Sequence, residues 1–374
     1  MKITKIEAIP FSIPYLHPLR FASGEQHTAN HILVRVHGED GVVGTAEAPP
    51  RPYTYGETQA SIKDAVENVF APDLVGLDVL DREKVIARMN RTVDNPCAKG
   101  AVDMALWDVI GQVLGQPVTK LLGGYTDHMR VAHMVGFDDP RKMVDVVHDH
   151  KTRYGITTYK VKVGRRPYSL DVDVCRALRA EFGDEIELYI DGNRGWSASE
   201  SAQALDAMKD LGLTLAEELN PADDVLGRKW LVDRTPMPFV ADESVPNQAD
   251  VVRSLLGGYA TAISIKTART GFTYSQRIHF LCEAMGIENV MGNQIDGQVG
   301  SLCSIVFGSA FRGTSARAGE LSNWLDMADD ILAEPLQIVD GKMYVRNVPG
   351  TGVVIDEDKL DHYRTDRRRV AVLV

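Results

Sequence analysis

Five charged residues in this chain each stand where a short apolar run stops. Tyr159-Lys160-Val161-Lys162 ends in a lysine and Leu188-Tyr189-Ile190-Asp191 in an aspartate; Glu217 follows Leu215-Ala216, Asp242 follows Val240-Ala241, and Lys266 follows Ile263-Ser264-Ile265. Lys162, Asp191, Glu217, Asp242 and Lys266 are separated by 29, 26, 25 and 24 residues, the length of one strand–helix unit repeated. One acid after a strand is usually a turn residue or a helix cap. Three carboxylates ending consecutive strands, with lysines on the strands before and after, are a convergent set. Neighbouring strands lie ~4.8 Å apart, so the three acids come within reach of one cation. Without a cation they repel one another strongly. Oxygen donors with no cysteine or histidine among them suit Mg2+ or Mn2+ rather than zinc.

Period-two alternation puts Lys160 and Lys162 on one face of their strand, and Asp191 and Asn193 likewise share a face. Lys162 is read as the proton-transfer residue at the rim and Lys160 as its neighbour one layer deeper. A second ammonium and the ion together are expected to lower the pKa of Lys162 toward the working range. Lys266 faces it across the mouth. Two lysines on opposite sides of an ion serve both faces of a carbon next to a carboxylate, which is the layout for making or quenching an enolate.

Bringing five strand ends to one rim requires a particular scaffold. Apolar runs at Val131–Val135, Thr158–Val163, Ile186–Ile190, Leu213–Ala216, Phe239–Ala241, Ala262–Ile265 and Asn289–Met291, with a last candidate at Ala318-Gly319-Glu320, alternate with helical segments such as Ala202–Leu211 and Tyr274–Met285. Such alternation over nearly 200 residues predicts a parallel sheet of βαβ units, and in a (β/α)8 barrel the C-terminal rim carries the active site. Before this region, Ile32–Val36 and Val42-Val43-Gly44 flank an Asp40-Gly41 turn and read as a hairpin. Helical patterns follow around 58–69 and 80–91, and Ala101–Ile110 reads as a mostly buried helix ending near Gly115-Gln116-Pro117. Gly341–Val353 has hairpin-like strand patterns.

The whole chain is consistent with that scaffold. Its 374 residues exceed one compact core and predict two domains, or a barrel with a second domain attached. No apolar run approaches a membrane span, and Met1–Lys5 lacks a signal-peptide pattern, so a cytoplasmic location is expected. A net charge of -11 argues against nucleic acid or an anionic membrane as partner. Cys97, Cys175, Cys282 and Cys303 are scattered and read as buried apolar residues rather than a zinc site or a disulfide framework.

With these residues in view, the sequence resembles the enolase superfamily, specifically its muconate lactonizing enzyme subgroup, whose use of a Lys or His base with Mg2+ is itself a standard pattern. Lys160-Val161-Lys162 resembles the family's Lys-x-Lys strand and Asp191-Gly192-Asn193 its first metal strand. Glu217-Glu218 is similar to the second, Asp242-Glu243-Ser244 to the third, and Ser264-Ile265-Lys266 to the strand of the opposing lysine. Ala101–Gly124, with Asp103 and Trp107-Asp108, resembles the helical signature, and Pro349–Val353 the C-terminal one. Two departures stand out. The second metal strand continues Leu219-Asn220-Pro221 rather than directly into Pro, and Gly292–Asp296 carries Asp296 where the family usually has Glu.

The resemblance implies an α/β fold: a (β/α)8 barrel over 126–325, an α+β capping domain over 1–125, and a C-terminal segment, 326–374, packed back on the cap. It implies Asp191, Glu217 and Asp242 as ligands of Mg2+ or Mn2+, Glu243 being the alternative third ligand and otherwise, with Asn193 and Asp296, a supporting group. Lys162 and Lys266 are the implied proton carriers, with Lys160 beside them. Similarity of Tyr55-Gly56-Glu57, Ser61-Ile62 and Phe70–Asp78 to the caps of muconate cycloisomerases points to a small dicarboxylate, cis,cis-muconate, closing to muconolactone. Two loops, Pro18–Gly24 and Pro49–Gly56, are the expected lids; His27, Arg51, Tyr53, Gln294 and Phe21 are the candidate substrate contacts. The same lysines would serve a chloromuconate cycloisomerase, an N-acylamino acid racemase, a dipeptide epimerase or an o-succinylbenzoate synthase. A non-catalytic structural or binding protein with this fold is the alternative of another class. Homo-oligomerisation is also implied.

Overall fold

The computed structural model describes residues 1–21 and 24–367. Three antiparallel strands open the chain: β1 (Ile3–Phe21), β2 (Gly24–Gly38) and β3 (Val43–Ala48). The turn between β2 and β3 is a short 3-10 segment, Glu39–Gly41, in which Asp40 and Gly41 take the positive φ values, 60° and 79°, that the Asp-Gly pair favours. The helix Pro96–Leu114 lies across this sheet. Contact is close because Gly44 has no side chain: a Cβ there would sit 2.0 Å from the Ala105 carbonyl oxygen.

Eight parallel strands follow: β4 (His128–Val135), β5 (Thr158–Lys162), β6 (Glu187–Asp191), β7 (Leu213–Glu217), β8 (Phe239–Ala241), β9 (Ala262–Ile265), β10 (Glu288–Met291) and β11 (Gly319–Glu320). Hydrogen bonding orders them β10-β9-β8-β7-β6-β5-β4-β11. The outer pair approach each other, Arg317 before β11 bonding Glu288 of β10 at 2.6 Å. The expected strands are therefore all present, and the barrel with its separate antiparallel sheet is the fold expected from the sequence. Inside the barrel, Ala132, Tyr189, Leu215, Val240, Ala262, Val290 and Ala318 pack as one apolar cluster from seven strands or their ends, a filled interior rather than a pore.

The cap and the barrel are joined by buried polar brackets. Asp103 accepts from the Thr273 backbone N–H (2.9 Å) and hydroxyl (2.6 Å) on the helix Thr267–Ala284. Asp108 accepts from Thr45 N–H of β3 (2.9 Å) and from Thr351 N–H (2.7 Å), so the two signature segments touch each other. The segment after 326 reaches both halves. Met327 bridges Tyr15 and Arg364 bridges Phe11, while β12 (Lys342–Tyr344) pairs antiparallel with β4 of the barrel. The hairpin-like pattern at Gly341–Val353 yields this one short strand; its partner is β4, not the residues that follow. Among the described residues no helix is long and apolar enough to cross a membrane.

Candidate active site

The barrel register carries the five strand-end groups to one rim. Lys162 of β5 pairs with Asp191 of β6, and Asp191 pairs with Glu217 of β7. Asp242 follows the last residue of β8 and Lys266 the last residue of β9. All five are buried, Asp191 and Glu217 completely.

Ammonium groups lie among the carboxylates. Lys160 Nζ donates to Glu217 Oε1 at 2.8 Å and to Glu320 Oε1 at 2.7 Å, and stands 2.9 Å from Asp191 Oδ2. Lys162 Nζ donates to Asp191 Oδ2 at 2.6 Å and to Asn193 Oδ1 at 2.7 Å. Lys266 donates to Asp242 Oδ2, while Arg269 Nη1 donates to Asp242 Oδ1 at 2.7 Å. Asn193 turns its amide to Glu243 Oε1 at 2.8 Å. Glu218 pairs with buried Arg228 at 2.7 Å and accepts from Asp242 N–H at 2.7 Å, which fixes the backbone carrying the third carboxylate. Of the two residues inserted before Pro221, Asn220 offers its backbone oxygen to the same Arg228 at 3.4 Å.

These contacts set the protonation tendencies. Burial opposes ionisation of Asp191, but Lys160 and Lys162 hold it well below the usual carboxylate range; Lys266 and Arg269 do the same for Asp242 against the same opposition. Glu217 is pushed well above that range, chiefly by burial. Burial, then Asp242 and Asp191, push Glu243 up to about 7. Lys160 and Lys266 stay above the ordinary lysine range although burial disfavours their charge, because carboxylates surround them. Lys160 is thus a bridge between acids as well as a neighbour of Lys162.

With lysines drawn to the acids, no three carboxylate, imidazole or thiolate side chains among the described residues are grouped as ion ligands. The donor set nevertheless suits a hard divalent cation. Glu217 Oε2 is buried with no hydrogen-bond partner, the remaining donors are carboxylate oxygens, and Lys160, Lys162, Lys266 and Arg269 already pair with them. Asp191, Glu217 and Asp242 are the residues that would hold the ion.

Above the lysines lies a cavity of about 60 Å³ whose lining includes Arg51, Tyr53, Tyr55, Arg194 and Gln294. The structure thus brings three of the candidate contacts, Arg51, Tyr53 and Gln294, to the site, although Tyr53 is largely exposed. Gln294 spends its amide nitrogen on Pro49 O (2.8 Å), leaving its Oε1 buried and unpartnered. His27 does not line the cavity; it is exposed and pairs with Glu25 at 3.1 Å. Phe21 ends β1, and its side chain lies outside the described residues. Asp296 is buried away from the cavity, with one oxygen unpartnered, and is raised to about 7 by burial and then by Glu47 of the cap.

Arg194, Arg269 and Glu320 belong to the site without having been picked out from the sequence. Glu320 carried the same signal as the others, an acid ending the last apolar run. Arg269 falls one helical turn after Lys266 and so rises on the same side of its helix. Arg194 had no signal beyond its place after Asp191-Gly192-Asn193.

Two family descriptions match the chain: "Mandelate racemase / muconate lactonizing enzyme, N-terminal domain" over residues 5–123 and "Enolase C-terminal domain-like" over 142–359. Among solved structures, the muconate lactonizing enzyme from Mucobacterium Smegmatis complexed with muconolactone is 63% identical, with a TM-score of 0.97, covering 98% of this chain and 100% of that one. The L-Ala-D/L-Glu epimerase of Bacillus subtilis (strain 168) is 31% identical across 83% of this chain and 86% of its own length. Muconate cycloisomerase 1 of Pseudomonas putida is 30% identical across 96% and 98%.

Proposed function

The chain belongs to the mandelate racemase / muconate lactonizing enzyme family of the enolase superfamily, and from that premise we propose that it cycloisomerises cis,cis-muconate to muconolactone. The observation that carries this reading is the 63% identity to a muconate lactonizing enzyme complexed with muconolactone, against about half that identity to the epimerase. Cationic groups at the cavity, Arg51 and Arg194 beside the lysines, suit a substrate with two carboxylates.

In the proposed reaction one carboxylate oxygen adds to the double bond conjugated with the other carboxylate. A C–O bond forms, the π pair moves toward the second carboxylate as an enolate, and a lysine ammonium then protonates the α-carbon. Lys162 on β5 and Lys266 after β9 line the site and are the proposed proton donors; which one acts sets syn or anti addition. The lysine that does not donate stabilises the developing charge, as does Lys160 from below. Asp191, Glu217 and Asp242 would hold a divalent ion, Mg2+ or Mn2+, which supplies positive charge for the enolate oxygens. The loop Pro49–Gly56, which lines the cavity, would exclude water while that charge exists.

The second reading, epimerisation of a dipeptide, follows from the 31% identity to the L-Ala-D/L-Glu epimerase and would use the same two lysines. Relative kcat/KM on cis,cis-muconate, chlorinated muconates and L-Ala-L-Glu tests the choice. Muconate is expected to be preferred at least about 100-fold over the dipeptide, the kind of ratio that specific polar contacts produce. The reverse order overturns the reading.

A further inference from the structure

Residues 50–56 form a strap across the cavity, fixed at both ends. At one end Pro49 O accepts from Gln294 (2.8 Å); at the other the buried Glu57 carboxylate accepts from Cys97 N–H (2.7 Å) and Ala98 N–H (3.2 Å) at the start of the helix Pro96–Leu114. Between the anchors runs one short turn of helix, Pro52–Tyr55, closed by Gly56 at φ 76°. Pro52 and Tyr53 face solvent while Tyr55 turns inward. The cavity, about 60 Å³, is small beside a six-carbon dicarboxylate, and the strap is the segment whose displacement would enlarge it. Tyr55 also walls that cavity off from an outer cleft of about 690 Å³, whose lining it shares with Arg269.

The Tyr55 hydroxyl accepts from Arg269 Nη1 at 2.6 Å, and the same nitrogen donates to Asp242 Oδ1 at 2.7 Å. Arg269 Nη2 is tied to Ser264 O of β9 at 2.9 Å, its Nε is buried without a partner, and the guanidinium lies 5.7 Å from the Tyr55 ring centre. One buried, always-charged, planar group therefore touches the strap and a carboxylate of the candidate ion site at once.

We propose that Tyr55 and Arg269 are positioning residues through which closure of the strap fixes the Asp242 carboxylate, so that strap closure and divalent-ion affinity are coupled. The coupling rests on the reading of Asp242 as an ion ligand. Because a coupling free energy is reciprocal, ion binding must also favour the closed strap.

The test is Mg2+ titration of the full chain by calorimetry, with backbone hydrogen exchange of residues 51–56 followed with and without Mg2+, in wild type, Tyr55→Phe, Arg269→Met and the double variant. Expected are a Mg2+ dissociation constant raised about fivefold in each single variant, a double variant no weaker than the worse single, and Mg2+ protection of the strap in wild type but not in Tyr55→Phe. If Arg269→Met fails to fold, Tyr55→Phe, which removes one oxygen, carries the test by itself. Wild-type Mg2+ affinity in Tyr55→Phe, or strap exchange unchanged by Mg2+ in wild type, overturns the coupling. Asp242→Asn separates the two readings. If its Mg2+ affinity equals wild type, the ion-site assignment has failed; if it loses affinity while Tyr55→Phe does not, only the coupling has.

Discussion

Asp191 and Glu217 are register partners on adjacent parallel strands, and the Lys160 ammonium bridges them at 2.9 and 2.8 Å. That relationship explains why a lysine sits fully buried in the barrel. Removing its charge leaves the buried Glu217 and Glu320 without an ammonium partner and Asp191 with Lys162 alone, so Lys160→Met should cost about 3–5 kcal/mol in denaturant unfolding without divalent ion. Added Mg2+ should restore part of the loss by taking over the neutralisation. A variant as stable as wild type in chelator would show that the bridge is not needed.

Lys162 and Lys266 hold different acids on opposite strands, so their loss should be separable. Each alanine variant should lower kcat, the proton donor's by about 10²–10⁴-fold and the other's by less. Circular dichroism should show both folded, and equal losses would indicate that both lysines act on one proton-transfer coordinate.

Chelation should abolish activity, and Mg2+ or Mn2+ should restore it, whereas Zn2+, which favours nitrogen and sulfur donors, should restore little. The same titration should raise Tm, since an ion that binds only the folded chain stabilises it by about 2.7 kcal/mol at one hundred times its dissociation constant. Full activity in chelator would exclude the ion.

Asp296 gives a pH dependence with a definite sign. Its carboxyl rises from 3.8 to about 7 on folding, mainly through burial. The folded chain therefore holds a proton that the unfolded chain has released between those values, and stability falls as pH rises from about 4 to about 7. Asp296→Asn removes that cost, so it should be stabilised by roughly 2–4 kcal/mol over wild type at pH 8 and show little difference near pH 3.5. A gain independent of pH would place the effect elsewhere.

Strand positions and strand-end charges were legible because each is a local pattern: an apolar run, period two, and a charged residue where the run stops. Lys162, Asp191, Glu217, Asp242 and Lys266 all fell at the rim for that reason. Contacts made across the chain were not legible. The Arg269–Tyr55 bond spans 214 residues and the Lys160–Glu320 bond 160, and neither leaves a periodicity. His27 illustrates the converse. Its type suited a carboxylate, but β2 leaves it exposed to solvent beside Glu25. Asp296 occupies a familiar position in the sequence, yet its environment is set by Glu47 on β3, which only the docking of cap on barrel decides.

The central claim is that a lysine protonates an enolate formed by lactonization. Mg2+-loaded protein mixed with cis,cis-muconate in D2O, followed by loss of diene absorbance and then by NMR of the product, tests it directly. The account predicts rapid loss and muconolactone carrying one deuterium at the α-carbon on a single face, with that face identifying syn or anti addition. No loss of absorbance with the ion verified in the protein, or a product without deuterium, contradicts it.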